Sequence, residues 1–179
     1  LFLGLSGGQG SGKTTAAAIL KVILGKFFKR KVYTISIDDF YKTLKERDQI
    51  SQTIHPLFKT RGVPGTHDTN LIKNFFNFTK KRNIKKIKLP KFDKSTDERI
   101  KKKYWLYLKK KPEIVILEGW CVGAKPQSYH LIKKPLNILE KHEDQNLIWR
   151  KHVNAKLKKE YKKIFSMIDH FIFIKIPNF

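Results

Sequence analysis

With 179 residues and 40% hydrophobic content, the chain can bury one core of ordinary size but hardly a second, so a single domain over residues 1–179 is expected. A formal net charge of +24 admits a nucleic-acid or anionic-membrane partner, yet only six of the 39 basic residues are arginine and the lysine runs (Lys80–Lys81, Lys101–Lys103, Lys109–Lys111, Lys158–Lys159) are dispersed, which fits solvated faces better than a nucleic-acid groove. The lone cysteine, Cys121, excludes an internal disulfide and fits a reducing, cytoplasmic setting; no Cys/His cluster has zinc-ligand spacing, and no stretch approaches the length of a membrane span.

Leu1–Leu5 reads as a buried strand, followed by a glycine-rich loop and a helix from Lys13 to about Lys29 with Ala16, Ala17, Leu20, Ile23, Leu24 and Phe27 inward. Val32–Ile37 is the second strand, and 39–66 reads as irregular. Asp68 or Thr69 caps a helix running to about Arg82, and Ile84–Leu89 is a short basic strand. Residues 91–111 carry charge and an aromatic island at Tyr104, Trp105 and Tyr107, with no clear period. Glu113–Leu117 is a buried strand. Asn137, three residues before Glu140, opens a long helix in which Val153, Leu157, Tyr161, Ile164 and Ile168 recur at helical spacing; His170–Ile176 is the last strand. Strands apolar on both faces, alternating with helices, predict an α/β three-layer sandwich with a mostly parallel sheet.

The stretch LSGGQGSGKTT spells two motifs at once. Its first half matches the signature of transporter ATPases, but Gly7–Thr14 completes G-x-x-x-x-G-K-[ST] between a strand and a helix, and no second glycine-rich loop exists to serve as the phosphate loop. The phosphate-loop reading therefore holds. Gly7, Gly8, Gln9, Gly10, Ser11 and Gly12 would turn backbone N–H groups inward, Lys13 would neutralise the β and γ phosphates of ATP, Thr14 would ligate Mg²⁺, and Thr15 extends the contact. Neither D-x-x-G nor N-K-x-D occurs, which argues against a GTPase. Glu118, ending the strand IVIL, can hold Mg²⁺ directly or through water, and Asp38 in SIDDFY sits where it can accept a proton from an attacking hydroxyl. The alternative for Asp38 and Asp39 is to cap the next helix.

Taken together, GGQGSGKTT, SIDDFY, RGVPGTHD, LPKFDKS, ILEGW and PLNILE resemble the D-glycerate 3-kinase family, P-loop kinases related to uridine kinase, phosphoribulokinase and pantothenate kinase. The resemblance implies transfer of the ATP γ-phosphoryl group to a hydroxyl of D-glycerate, with Lys13, Asp38 and Glu118 catalytic. It further implies an acceptor pocket drawing on Asp38, Tyr41 of the D-x-F-Y motif, Arg61, His67, Asp68, Lys91 and Arg99. For Arg61 the other reading is a surface charge, for His67 a turn-stabilising side chain, and for Lys91 with Asp93 a loop-ordering ion pair. Trp105, Trp120 and Trp149 read as packing residues. Residue 1 is Leu and the chain stops soon after FIFIKI, so it reads as a piece truncated at both ends; the family's C-terminal lid would follow, and weak ATP binding with poor turnover is expected without it. The competing readings are the same chemistry on uridine or pantothenate, and a basic nucleic-acid-associated ATP-binding protein.

Overall fold

The computed structural model describes residues 1–81, 86–108 and 110–176. Strand β1 (Phe2–Gly7) enters helix α1 (Lys13–Lys26) through the glycine-rich loop, and β2 (Val32–Ser36) follows. A 3₁₀ turn (Ile37–Phe40) leads to α2 (Leu44–Thr53) and then, past a second 3₁₀ turn (Pro56–Lys59), to α3 (Thr69–Lys80). The short strands β3 (Ile87–Leu89), β4 (Phe92–Asp93), β5 (Glu98–Arg99) and β6 (Leu106–Leu108) come next, then β7 (Ile114–Gly119). Helices α4 (Tyr129–Lys133), α5 (Ile138–Glu143) and α6 (Ile148–Lys156) precede a π-helical turn (Leu157–Tyr161), α7 (Lys162–Phe165) and β8 (His170–Ile174).

The main sheet is parallel in the order β2-β7-β1-β8, with β3-β6 and β4-β5 forming two small antiparallel pairs. Side chains alternate across β7: Ile114 and Ile116 pack with Leu5, Ala17 and Val32 on the α1 side, whereas Val115 and Leu117 pack with Phe76, Tyr161 and Ile164 on the α3–α7 side. Helix, sheet and helix make the three layers that buried parallel strands require. Among the described residues no helix is long and apolar enough to cross a membrane.

Three expectations change. The segment 39–66 is not wholly irregular, because α2 lies inside it. A reciprocal capping box starts that helix: Thr43 Oγ1 accepts from Glu46 N at 3.2 Å and Glu46 Oε2 accepts from Thr43 N at 2.7 Å. Its one buried side chain is Arg47, which hydrophobic periodicity does not register. The long helix after Asn137 is broken between α5 and α6, where Leu147 takes φ 61° and buried Asp144 accepts from the N–H groups of Trp149 and Arg150, starting a second helix. In α1 the helix ends at Lys26, leaving Phe27 78% exposed past the last turn. Ile23 stands about 100° around the axis from Leu24 and faces outward.

Boundaries move less. Asn137 does accept from Glu140 N at 2.8 Å, but Glu140 reaches back to Leu136 N. Asp68 caps α3 by accepting from Leu71 N at 3.0 Å. The expected strand Ile84–Leu89 is seen from Ile87, and its first residues, with Arg82 and Lys109, lie outside the described residues.

Candidate active site

The phosphate loop owes its shape to backbone conformation. Gly10 and Gly12 take φ of 77° and 79°, the left-handed region where a side chain would be strained, and these residues curl the chain into the start of α1. No side chain caps that helix, so its first N–H groups and its dipole face the loop. Lys13 folds back over the loop and donates to Gly8 O at 2.6 Å. Gly8, Gln9, Lys13 and Thr14 line a cleft of about 980 Å³. Thr15 is exposed on the helix.

Sheet register brings the acids to this cleft. Ser36 of β2 is level with Glu118 of β7, which is level with Leu5 of β1, so the loop after β1 and the turn after β2 flank Glu118 at the C-terminal rim. The strands consecutive in sequence are therefore not neighbours; β7 lies between them. Glu118 is buried, and Thr14 Oγ1 donates to its Oε1 at 3.5 Å. A hydroxyl and one carboxylate side by side are the hard oxygen donors that Mg²⁺ takes while keeping phosphate and water ligands. Among the described residues no group of three or more His, Cys, Asp or Glu could hold a metal.

Asp38 lines the same cleft from the 3₁₀ turn, and neither member of the Asp pair caps α2, a role taken by Thr43. Ser36 accepts from Asp38 N at 3.3 Å and fixes the turn. Asp39 points away from the cleft's lining and binds the hairpin instead, pairing with Lys91 Nζ at 3.0 Å and accepting from Phe92 N at 3.3 Å.

The rest of the cleft is assembled from distant segments. Arg61 and Tyr41 line the cleft with Lys59, Thr60, Lys94, Asp97 and Trp120. Asp97, the last residue of the turn between β4 and β5, with φ 54°, takes one guanidinium on each oxygen: Arg61 on Oδ1 and Arg47 on Oδ2 at 2.9 Å. Arg47 is fully buried and also donates to Lys59 O and Asp97 O. Burial raises the Asp97 carboxyl, but its hydrogen bonds to Arg47 and Arg61 outweigh this and hold it below the usual carboxylate range. Both guanidinium groups stand over the Phe92 ring, at 5.8 and 5.5 Å.

Four of the residues that the sequence nominates for the acceptor pocket stand behind this wall. Lys91 pairs with Asp39, and Arg99 ties the hairpin to Asp68 at 3.0 Å and to Glu46 at 3.2 Å. His67 is 1% exposed, stacked 4.3 Å from Tyr41, with Nδ1 2.6 Å from Tyr161 Oη and Nε2 without a partner. Burial pushes its pKa down to about 3, so it is a neutral ring supporting Tyr41. Burial, then the Asp38 charge, raises the Tyr41 phenol and lifts the Cys121 thiol to about 12. Sequence reasoning missed Lys94, Asp97 and Trp120. LPKFDKS pointed to the right hairpin but not to the side chain that enters the cleft, while Trp120, read as packing, is 46% exposed and bonds Gly62 O at 3.1 Å.

No family model matches the chain. It is 34% identical over 178 residues to a Schizosaccharomyces pombe protein called uncharacterized kinase mug58, across 95% of this chain and 62% of that protein. It is 29% identical over 186 residues to chloroplastic D-glycerate 3-kinase of Arabidopsis thaliana, across 99% of this chain and 38% of the relative. Among solved structures, D-glycerate 3-kinase of Cryptococcus neoformans superposes with a TM-score of 0.78 at 27% identity, over 97% of this chain and 62% of that one. The chain thus spans 38–62% of the length of these relatives.

Proposed function

We propose that this chain, with its phosphate loop and its similarity to proteins named D-glycerate 3-kinase, uridine kinase and pantothenate kinase, transfers the γ-phosphoryl group of ATP to a hydroxyl of D-glycerate, giving 3-phosphoglycerate. One observation carries the reading: a single cleft has Lys13, Thr14 and Glu118 on one wall and Asp38, Tyr41 and Arg61 on the other. The loop N–H groups and Lys13 bind the phosphates, and Asp38 takes the proton of the acceptor hydroxyl. As its oxygen bonds to phosphorus, the bond from phosphorus to ADP breaks. Mg²⁺ held by Thr14 and Glu118 would neutralise charge on the β and γ oxygens. Arg61 supplies a directional cation for the glycerate carboxylate, and His67 with Asp68 and Arg99 holds the wall behind it.

The test is a coupled ADP-release screen of the full chain with Mg²⁺-ATP against D-glycerate, uridine, pantothenate and ribulose 5-phosphate. Turnover with D-glycerate above the other acceptors is expected. Turnover with another acceptor and none with D-glycerate would overturn the substrate while leaving the kinase reading in place.

A further inference from the structure

The β4–β5 hairpin carries one side chain that the reaction described above leaves unused. Lys94 extends from the hairpin turn into the cleft, and its Nζ donates to Asp38 Oδ2 at 2.7 Å. The turn is shaped by Asp93, whose Oδ1 accepts from Ser95 N at 2.9 Å and Ser95 Oγ at 2.6 Å. Its base is anchored by Arg47 on Asp97, by Glu98 accepting from Leu44 N at 3.1 Å, and by Arg99 on Asp68. Lys94 is thus a flexible cation on a fixed mount.

Four cations line the cleft among the described residues, and they differ in how they are held. Lys13 belongs to the phosphate loop, Lys59 lies 3.9 Å from Asp48, and Arg61 shares Asp97 with buried Arg47. Lys94 has an exposed side chain, 62%, and a single ion-pair partner, which is the carboxylate that receives the acceptor. An ion pair so exposed exchanges readily. We infer that Lys94 reads the charge of the acceptor: its ammonium leaves Asp38 for an anionic group on the incoming molecule and seats that molecule's hydroxyl against the vacated Asp38 oxygen.

A neutral alcohol offers no such exchange and must compete with Lys94 for the carboxylate. Lys94 only changes hydrogen-bond partners; the proton still passes from the acceptor hydroxyl to Asp38. The inference rests on the proposed role of Asp38 but not on glycerate itself, since it requires only that the preferred acceptor be an anion.

The experiment uses the full chain, wild type, Lys94→Met and Lys94→Arg, with Mg²⁺-ATP and four acceptors: D-glycerate, glycerol, pantothenate and uridine. Loss of one charge-assisted hydrogen bond predicts a KM for the anionic acceptor raised about ten- to a hundredfold in Lys94→Met, with the KM for ATP near wild type and the preference for D-glycerate over glycerol reduced by a similar factor. Lys94→Arg should recover most of that preference. An anionic-acceptor KM within about twofold of wild type in Lys94→Met, against that expected loss, overturns the inference. Wild-type preference for pantothenate with the same Lys94→Met defect sinks glycerate as substrate and upholds Lys94. Preference for uridine sinks both. If no acceptor turns over, calorimetry with a non-hydrolysable ATP analogue decides: D-glycerate binding weakened by Lys94→Met supports the inference, and binding that is absent or unaltered ends it.

Discussion

The two walls of the cleft are built on different principles. Apart from Glu118 at the end of β7, the phosphate wall comes from one continuous stretch, Gly7 to Thr14, and its geometry resides in backbone dihedrals and a helix end. The proposed acceptor wall gathers Asp38, Arg47, Arg61, Lys94 and Asp97 through ion pairs between residues that lie up to 56 positions apart, with Tyr41 held by stacking on His67. A local backbone device tolerates change elsewhere in the molecule, whereas a wall of mutually dependent charges fails as a unit.

The sharpest way to break this contrast is at Asp38. Asp38→Asn removes the proton acceptor and should lower kcat by about 10²–10⁴-fold with the KM for ATP near wild type, measured by coupled ADP release. A large rise in the ATP KM instead would mean that the two walls are not separable. Next in size is Arg47→Met, which leaves Asp97 with Arg61 alone and the Lys59 carbonyl without its donor. Denaturant titration should register a loss of about 2–4 kcal/mol, discounted because Asp97 is partly exposed, and the acceptor KM should rise more than the ATP KM.

The smallest effect concerns pH. His67 stays neutral in the fold down to about pH 3, while the unfolded chain takes up that proton near pH 6.5. Its contribution is therefore complete above pH 6.5 and is lost as the solution is acidified, amounting to about 1.5–2 kcal/mol by pH 5. His67→Gln should flatten the fall in denaturation midpoint over that window, above the range of ordinary carboxylates. An unchanged slope would show that His67 can be protonated without opening the wall behind Tyr41.

Legibility followed the same division. The strand–loop–helix unit around Lys13, the buried strand ending in Glu118 and the Asp68 cap of α3 were all readable, because each depends on neighbours within a few residues. Helix α2 escaped because its buried side is an arginine, and the break between α5 and α6 escaped because Asp144 works as a cap only once it is buried against Arg150 and His55. RGVPGTHD and LPKFDKS each contribute lining to the cleft, through Arg61 and Gly62 and through Lys94. They nominated Arg61 and His67 alike and did not reveal that Arg61 lines the cleft while His67 supports Tyr41 from behind, or that Lys94 and not Lys91 reaches Asp38.

By itself the sequence determined the three-layer fold and the phosphate loop, since hydrophobic period, glycine placement and motif spacing act over distances that the chain writes out in order. Only the tertiary structure decided that β7 lies between β1 and β2, which charges meet across the hairpin and which aromatic rings line the cleft rather than support it. The reason is physical: a backbone turn is fixed by its own residues, whereas an ion pair between distant segments exists only after packing has brought its partners together and removed the water between them.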